Sequence, residues 1–384
     1  MEAYLDNSST TRISDSVLEK MIQVYRIDYG NPSAMHSKGF DAEKYIKEAK
    51  EIIAGSLKVS SKEIFFTSGG TESNNLAVIG SAMANKRLGC KILTTPIEHP
   101  SVGNAVNFLK EQGFEVDYIP VDGQGLVDLK ALEELMTPET ILVSVMHVNN
   151  EIGSLQPIEE IGKIIKKINP SVVFHVDAIQ SFGKFQIRPK KAGLDLLSIS
   201  GHKIHGPKGV GFLYIKEKTK INPLILGGGQ QDGMRSGTEN VPGVAGLGQA
   251  VKESYDHFEE KIDRLYELRD YFTGELQKLE GCYVNGPSGR NVAPQIVSAS
   301  FEGVRSEVLL HSLEEKNIFI SAGSACSSHK RAPSATLSAI GIRKDLLEST
   351  VRFSFNLETS REELDYTLAA IKELLPMLRR YARH

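Results

Sequence analysis

From about residue 15 to residue 250, apolar runs of strand length alternate with stretches of helical period. The runs are Glu63 to Gly69, Lys91 to His99, Ile141 to Val148, Val172 to Ala178, Leu194 to Ser200 and Gly209 to Lys216. They lack the strict polar alternation of a half-exposed strand, so they predict strands covered on both faces. Between two of them, Val102, Ala105, Val106 and Leu109 recur at helical spacing. Buried strands separated by helices predict an α/β fold, with a mostly parallel sheet covered by helices and ligands at the carboxyl ends of its strands.

The pattern then changes. Phe258, Ile262, Leu265, Leu268, Phe272, Leu276 and Leu279 fall on one face of a long amphipathic stretch, which reads as a helix leading out of the first domain. Shorter strand candidates follow at Gln295 to Phe301 and Thr350 to Phe355, and the capping box Ser360 to Glu363 opens a last helix. We expect a large α/β domain over 15–255 and a smaller α+β domain built from 1–14 plus 256–384. No repeat and no low-complexity linker separates them, so they should pack together.

Composition narrows the function. The 384 residues are 40% hydrophobic with a formal net charge of -3, so no strong field draws the chain to nucleic acid or an acidic membrane surface. The amino terminus lacks a basic segment followed by an apolar core, and no uncharged apolar run reaches about 18 residues, so we expect a cytoplasmic protein without a membrane span. Three cysteines, Cys90, Cys282 and Cys326, are too few and too scattered for a disulfide framework or paired zinc spacing. No resident metal is expected, and small-molecule chemistry is the better reading.

Candidate chemistry gathers at the predicted strand ends. The segment Ser198 to Gly211 places Lys203 in a glycine-rich turn after a buried strand, beside Ser200, His202 and His205, where a Schiff-base lysine would sit. Another strand ends with Asp177 and Gln180. A pyridine cofactor needs a carboxylate to keep its ring nitrogen protonated and a neutral donor to its phenolate oxygen, and these two supply both types. The stretch Thr67 to Val78 offers glycines and backbone N–H groups at a helix start, with Gly70 and Thr71 suited to a phosphate. His99 and the pair Asn149 and Asn150 close further strands. Taken singly, each has a plainer reading as a cap, a turn or an ion pair, and only their convergence favours a cofactor site.

In order along the chain, YLDNSSTT, YGNPSAMH, SGGTESNN, EH at 98 and 99, MHVNNEIG, HVDAIQS, SGHKIHGPKG, GMRSGTEN, SAGSACSS and VRFSFN resemble the motifs of the cysteine desulfurases of the class V aminotransferase group. The resemblance runs nearly end to end and is strongest to the enzymes that feed iron–sulfur cluster assembly. It implies fold type I of the pyridoxal phosphate (PLP) enzymes. It also implies that Lys203 binds PLP and serves as base at the substrate α-carbon. Asp177 would hold the pyridinium, Gln180 and Asn150 the phenolate oxygen, and His99 would stack on the ring and handle the substrate thiol's proton. Gly70, Thr71, Ser200 and His202 would bind the phosphate, joined by Thr238 from the second subunit of a homodimer. Arg352 would grip the carboxylate of L-cysteine, with Asn31 and Asn150 helping to orient it.

Cys326 decides the reaction that the resemblance implies, since its thiolate would take the substrate sulfur as a persulfide and leave alanine. Small neighbours from Gly323 to Ser328 suit a loop that delivers a thiol. The persulfide would pass to a sulfur-acceptor protein such as an iron–sulfur cluster scaffold, where Cys326 would contact the cluster as cargo. Cys90 and Cys282 read as small buried hydrophobes. His329, Lys330 and Arg331 depart from the usual pattern with a basic run that fits a lowered pKa of the Cys326 thiol, an acidic partner or an exposed loop without a role. A selenocysteine lyase or aminotransferase on the same scaffold, and a non-catalytic sulfur-delivery subunit, are the competing readings.

Overall fold

The computed structural model describes residues 1–322 and 334–381. Its main sheet has seven strands: β2 (Ile64–Thr67), β3 (Lys91–Thr94), β4 (Glu115–Tyr118), β5 (Thr140–Met146), β6 (Val173–Asp177), β7 (Leu196–Ser200) and β8 (Gly211–Ile215), in the order β2-β8-β7-β6-β5-β3-β4. The strands β7, β6, β5, β3 and β4 pair in parallel, whereas β8 runs antiparallel to both β7 and β2. The short link from β7 to β8 explains this reversal, because a parallel crossover needs a dozen residues or more.

Both faces of the sheet are covered, as the uninterrupted apolar runs require. Val143, Phe174, Leu197 and Phe212 face one core, shared with helices Asp15–Arg26, Ser37–Leu57, Ile158–Ile168 and Val241–Tyr255. Their neighbours Leu142, Val173, Leu196 and Leu213 face the other, against Val102, Ala105, Val106 and Leu109 of helix Pro100–Glu111. Each such side chain contributes about 2 kcal/mol through the apolar area it withdraws from water.

A second sheet, in the order β12-β13-β10-β9, comprises β9 (Cys282–Asn285), β10 (Ile296–Phe301), β12 (Ser321–Ala322) and β13 (Thr350–Ser354), all antiparallel. A short strand β1 (Ala3–Tyr4) pairs in parallel with β11 (Ile318–Phe319). Ala3 and Leu5 are buried in the same core as Leu265, Phe272, Phe301, Phe353 and Leu368. Helices Phe258–Leu276 and Arg361–Tyr381 flank this sheet. The capping box forms as the sequence predicts, with Ser360 N donating to Glu363 Oε2 at 2.6 Å and Glu363 N to Ser360 Oγ at 3.2 Å.

Candidate active site

The carboxyl edge of the main sheet gathers the site. The strand β7 ends at Ser200 and turns tightly through Gly201 to Lys203; a Cβ on Gly201 would stand 3.1 Å from Pro207 O and 3.2 Å from Val210 O. Lys203 Nζ donates to Ser8 O at 2.5 Å and Ser9 O at 2.6 Å, and its own carbonyl accepts from Lys184 Nζ at 2.6 Å. Burial and the neighbouring Lys203 charge lower the Lys184 amine to about 7.

Asp177 ends the adjacent strand β6 and is buried. Its carboxylate accepts from Asn74 Nδ2 at 2.8 Å and from Ile179 N at 3.0 Å. Burial pushes the carboxyl up, while these donors, His99 and Lys203 pull it down. His99 caps helix Pro100–Glu111, its Nδ1 accepting from Ser101 N at 3.1 Å and lying 2.8 Å from Ser101 Oγ. Burial and Lys203 lower its pKa, against the pull of Asp177. The preceding Glu98 carboxyl is raised by burial to about 8; Oε1 accepts from Thr95 Oγ1 and Met146 N, while Oε2 is enclosed with no hydrogen-bond partner among the described residues.

A cradle of glycines lies beside these groups. Gly69 has φ +146°, a conformation that side chains disfavour, and opens the helical stretch that begins at Gly70. A Cβ on Gly70 would come within 2.3 Å of Ile179 Cδ1 and 3.4 Å of Ser200 Cβ, and one on Gly211 within 2.8 Å of Gly69 Cα. Ser200 Oγ is 3.8 Å from the Cβ position of Gly69. His202 Nδ1 lies 3.1 Å from Thr10 Oγ1, and burial with the charge of Lys203 lowers its pKa to about 4. Thr71 follows the glycines and is exposed.

Arg352, on β13, is buried. Its guanidinium donates to Asp6 Oδ1, Ser9 Oγ and the carbonyl of Asn150, each at 2.8 Å, and its Nε has no hydrogen-bond partner among the described residues. Gln180 is buried and donates to Ser8 O at 2.9 Å. Asn31 is exposed, accepts from Ser33 N at 2.9 Å, and no hydrogen bond joins it to Arg352 among the described residues. Thr238 is exposed as well, lining a cavity of about 220 Å³ with Ser68, Gln231 and Arg235. Cys326 lies outside the described residues. Cys282 is buried and its thiol is pushed up to about 12, whereas Cys90, expected to be buried, is only half-buried.

The amino-terminal strap was not anticipated from sequence. Asp6, Ser8, Ser9 and Thr10 touch Arg352, Gln180, Lys203 and His202. Much of this contact goes through backbone carbonyls, which no side-chain pattern announces. Asn74 and Ser101 join Asp177 to His99; Asn74 sits inside the glycine-rich stretch read for phosphate binding, and Ser101 lies in the first turn of the helix that His99 caps.

These residues fit PLP. A buried carboxylate held by neutral donors suits a protonated ring nitrogen. The glycine cradle at a helix start, with Ser200 and His202 beside it, presents N–H and O–H donors without side-chain bulk, as a phosphate requires. Lys203 stands within electrostatic reach of both Asp177 and His99.

Comparison with known proteins agrees. The aminotransferase class-V family model matches residues 3–367. A protein of Dictyoglomus turgidum named cysteine desulfurase IscS is 44% identical over 379 residues, covering 98% of this chain and 95% of that one. The solved structure of a NifS-like protein superposes with a TM-score of 0.93 at 39% identity, covering 98% of this chain and 100% of its own. That of SspA in complex with cysteine superposes at 0.78 with 36% identity, covering 93% and 100%. The chain belongs to the class-V aminotransferase family of PLP enzymes, in the group that includes the proteins named cysteine desulfurases.

Proposed function

We propose that the chain is a cysteine desulfurase that converts L-cysteine to L-alanine and leaves the sulfur as a persulfide on Cys326. The observation that carries this reading is the buried Asp177 carboxylate, hydrogen-bonded through Asn74 and within the field of Lys203 and His99, at strand ends where a flat pyridine ring needs all three. Relatives named for this reaction and a neighbour solved with cysteine support the substrate.

PLP, when bound, supplies an aldehyde for the substrate amine and an electron sink for its α-carbon. Lys203 Nζ would hold the cofactor and then carry the α-proton. Asp177 would keep a positive charge on the ring nitrogen, and Gln180 and Asn150 would meet the phenolate oxygen. Gly70, Thr71, Ser200 and His202 would bind the phosphate, and Thr238 would join them from a second subunit. Arg352, already steered by Asp6 and Ser9, would offer its planar fork to the substrate carboxylate, which Asn31 would help to orient. The Cys326 thiolate would form the S–S bond as the substrate C–S bond breaks; the electron pair stays with carbon, which takes a proton and leaves as alanine.

The reading extends to a cytoplasmic homodimer with an iron–sulfur scaffold as sulfur acceptor, and to a cofactor-bearing domain over 15–255 against a smaller domain from 1–14 and 256–384. Exposed apolar side chains between Leu18 and Phe40, including Tyr29 at 69% and Met35 at 94%, support self-association, as does the exposed Leu226. Mass spectrometry after adding L-cysteine tests the reaction: one sulfur atom should appear on the peptide containing Cys326, with free alanine in solution. Alanine release with an unmodified Cys326 would contradict the assignment of the acceptor thiol.

A further inference from the structure

The hydrogen bonds around His99 fix which proton it carries. Ser101 N–H, a group that can only donate, approaches His99 Nδ1 at 3.1 Å. Asn74 Nδ2 donates both to Asp177 Oδ2 at 2.8 Å and to Ser101 Oγ at 2.9 Å. The carboxylate demands a donor there, which sets the orientation of the amide. Ser101 Oγ, already accepting from Asn74, then gives its own proton to Nδ1, 2.8 Å away. Nδ1 therefore receives two donors and holds no proton, and the neutral ring carries its single proton on Nε2. A second proton has only Nδ1 to enter, where it would face the peptide N–H that caps the helix.

We infer that Ser101 and Asn74 are positioning residues that lock His99 as a neutral imidazole with its proton on Nε2, so that Nε2 can offer a proton but cannot accept one; that Nε2 serves the substrate thiol rests on the desulfurase reading. The charged groups bearing on the imidazole are Asp177, from β6, and Lys203, from the turn after β7; with burial, Lys203 opposes a charge on the ring and Asp177 favours one. The chain Asp177–Asn74–Ser101–His99 also ties the carboxylate meant for the ring nitrogen to the imidazole meant for the ring face, so the two are placed as one unit.

The test is long-range proton–nitrogen correlation on holoenzyme labelled with ¹⁵N-histidine, recorded from pH 5 to 9, with the His99 signals assigned by their loss in His99→Gln. Expected are an unprotonated Nδ1, a protonated Nε2 and shifts that do not move between pH 6 and 8. A proton on Nδ1, or a midpoint inside that window, overturns the lock. Ser101→Ala removes one donor to Nδ1 and should raise the His99 midpoint by about half a pH unit or more, while Ser101→Thr restores it. An unchanged midpoint in Ser101→Ala overturns the role given to Ser101. Cysteine turnover is measured on the same samples: a locked His99 in a protein that makes no alanine contradicts the desulfurase reading alone, and a titrating His99 in an active enzyme contradicts the lock alone.

Discussion

Asp177 is drawn out of water by β6 and given neutral donors, so its carboxylate lies at a cost that a cationic ring nitrogen would relieve. Asp177→Asn keeps the volume and removes the charge. It should leave the cofactor-free protein as stable as before or more so, while cysteine turnover of the loaded enzyme falls by roughly 10²-fold or more; melting curves and alanine release check both. Glu98 carries its own pH signature. Its carboxyl is raised to about 8, so the folded protein holds a proton there that the unfolded chain releases near pH 4. The stability associated with that proton is full below the unfolded value and is lost as pH climbs to about 8. Melting temperatures of Glu98→Gln should lack this decline, so the variant should gain on the parent between pH 5 and 8. Asp177 and Lys203 were legible as candidates because one ends an apolar run and the other sits in the glycine-rich turn just after one, whereas Arg352 was legible only through the family resemblance. Asn74, Ser101 and Glu98 were not, since Asn74 meets Ser101 and Asp177, and Glu98 meets Met146, only once the fold brings distant segments together.

At the scale of elements, the site exists because strands β6 and β7 end side by side, at Asp177 and Ser200, with Gly69 and Gly70 packed against them. Gly211 is where that packing has least room to yield: a Cβ there would meet Ile199 O at 2.5 Å and Gly69 Cα at 2.8 Å, both backbone atoms, whereas the atom nearest a Cβ on Gly70 is the end of the Ile179 side chain. Gly211→Ala should destabilise the protein by about 2 kcal/mol and weaken cofactor retention, which thermal melting and absorbance after dialysis would report. Hydrophobic patterning located the inner strands to within a few residues because they are buried on both faces. It extended the strand at Lys91 as far as His99, whereas β3 stops at Thr94 and His99 caps the next helix. It missed β4, whose sequence EVDY is partly exposed at the sheet edge and lacks an apolar run.

At the scale of the molecule, two cores meet across the strap from Asp6 to Thr11. Residues before it pack in the second core, and the strap itself binds the Lys203 turn and Arg352. The family motifs at the amino terminus were legible, but their bridging role was not, because it rests on carbonyl groups and on a fold that joins residues 6 and 352. If the exposed apolar side chains near Met35 form a subunit interface, the double substitution Tyr29→Asp with Met35→Asp should yield monomers in analytical ultracentrifugation, with cysteine turnover down by about tenfold or more. The central claim, that the strand-end cluster holds PLP on Lys203, is tested most directly by borohydride reduction of the yellow holoenzyme followed by peptide mapping. The pyridoxyl group should be fixed on Lys203; finding it on Lys184 instead, whose amine lies 2.6 Å from the Lys203 carbonyl, or on no lysine at all, would contradict the account.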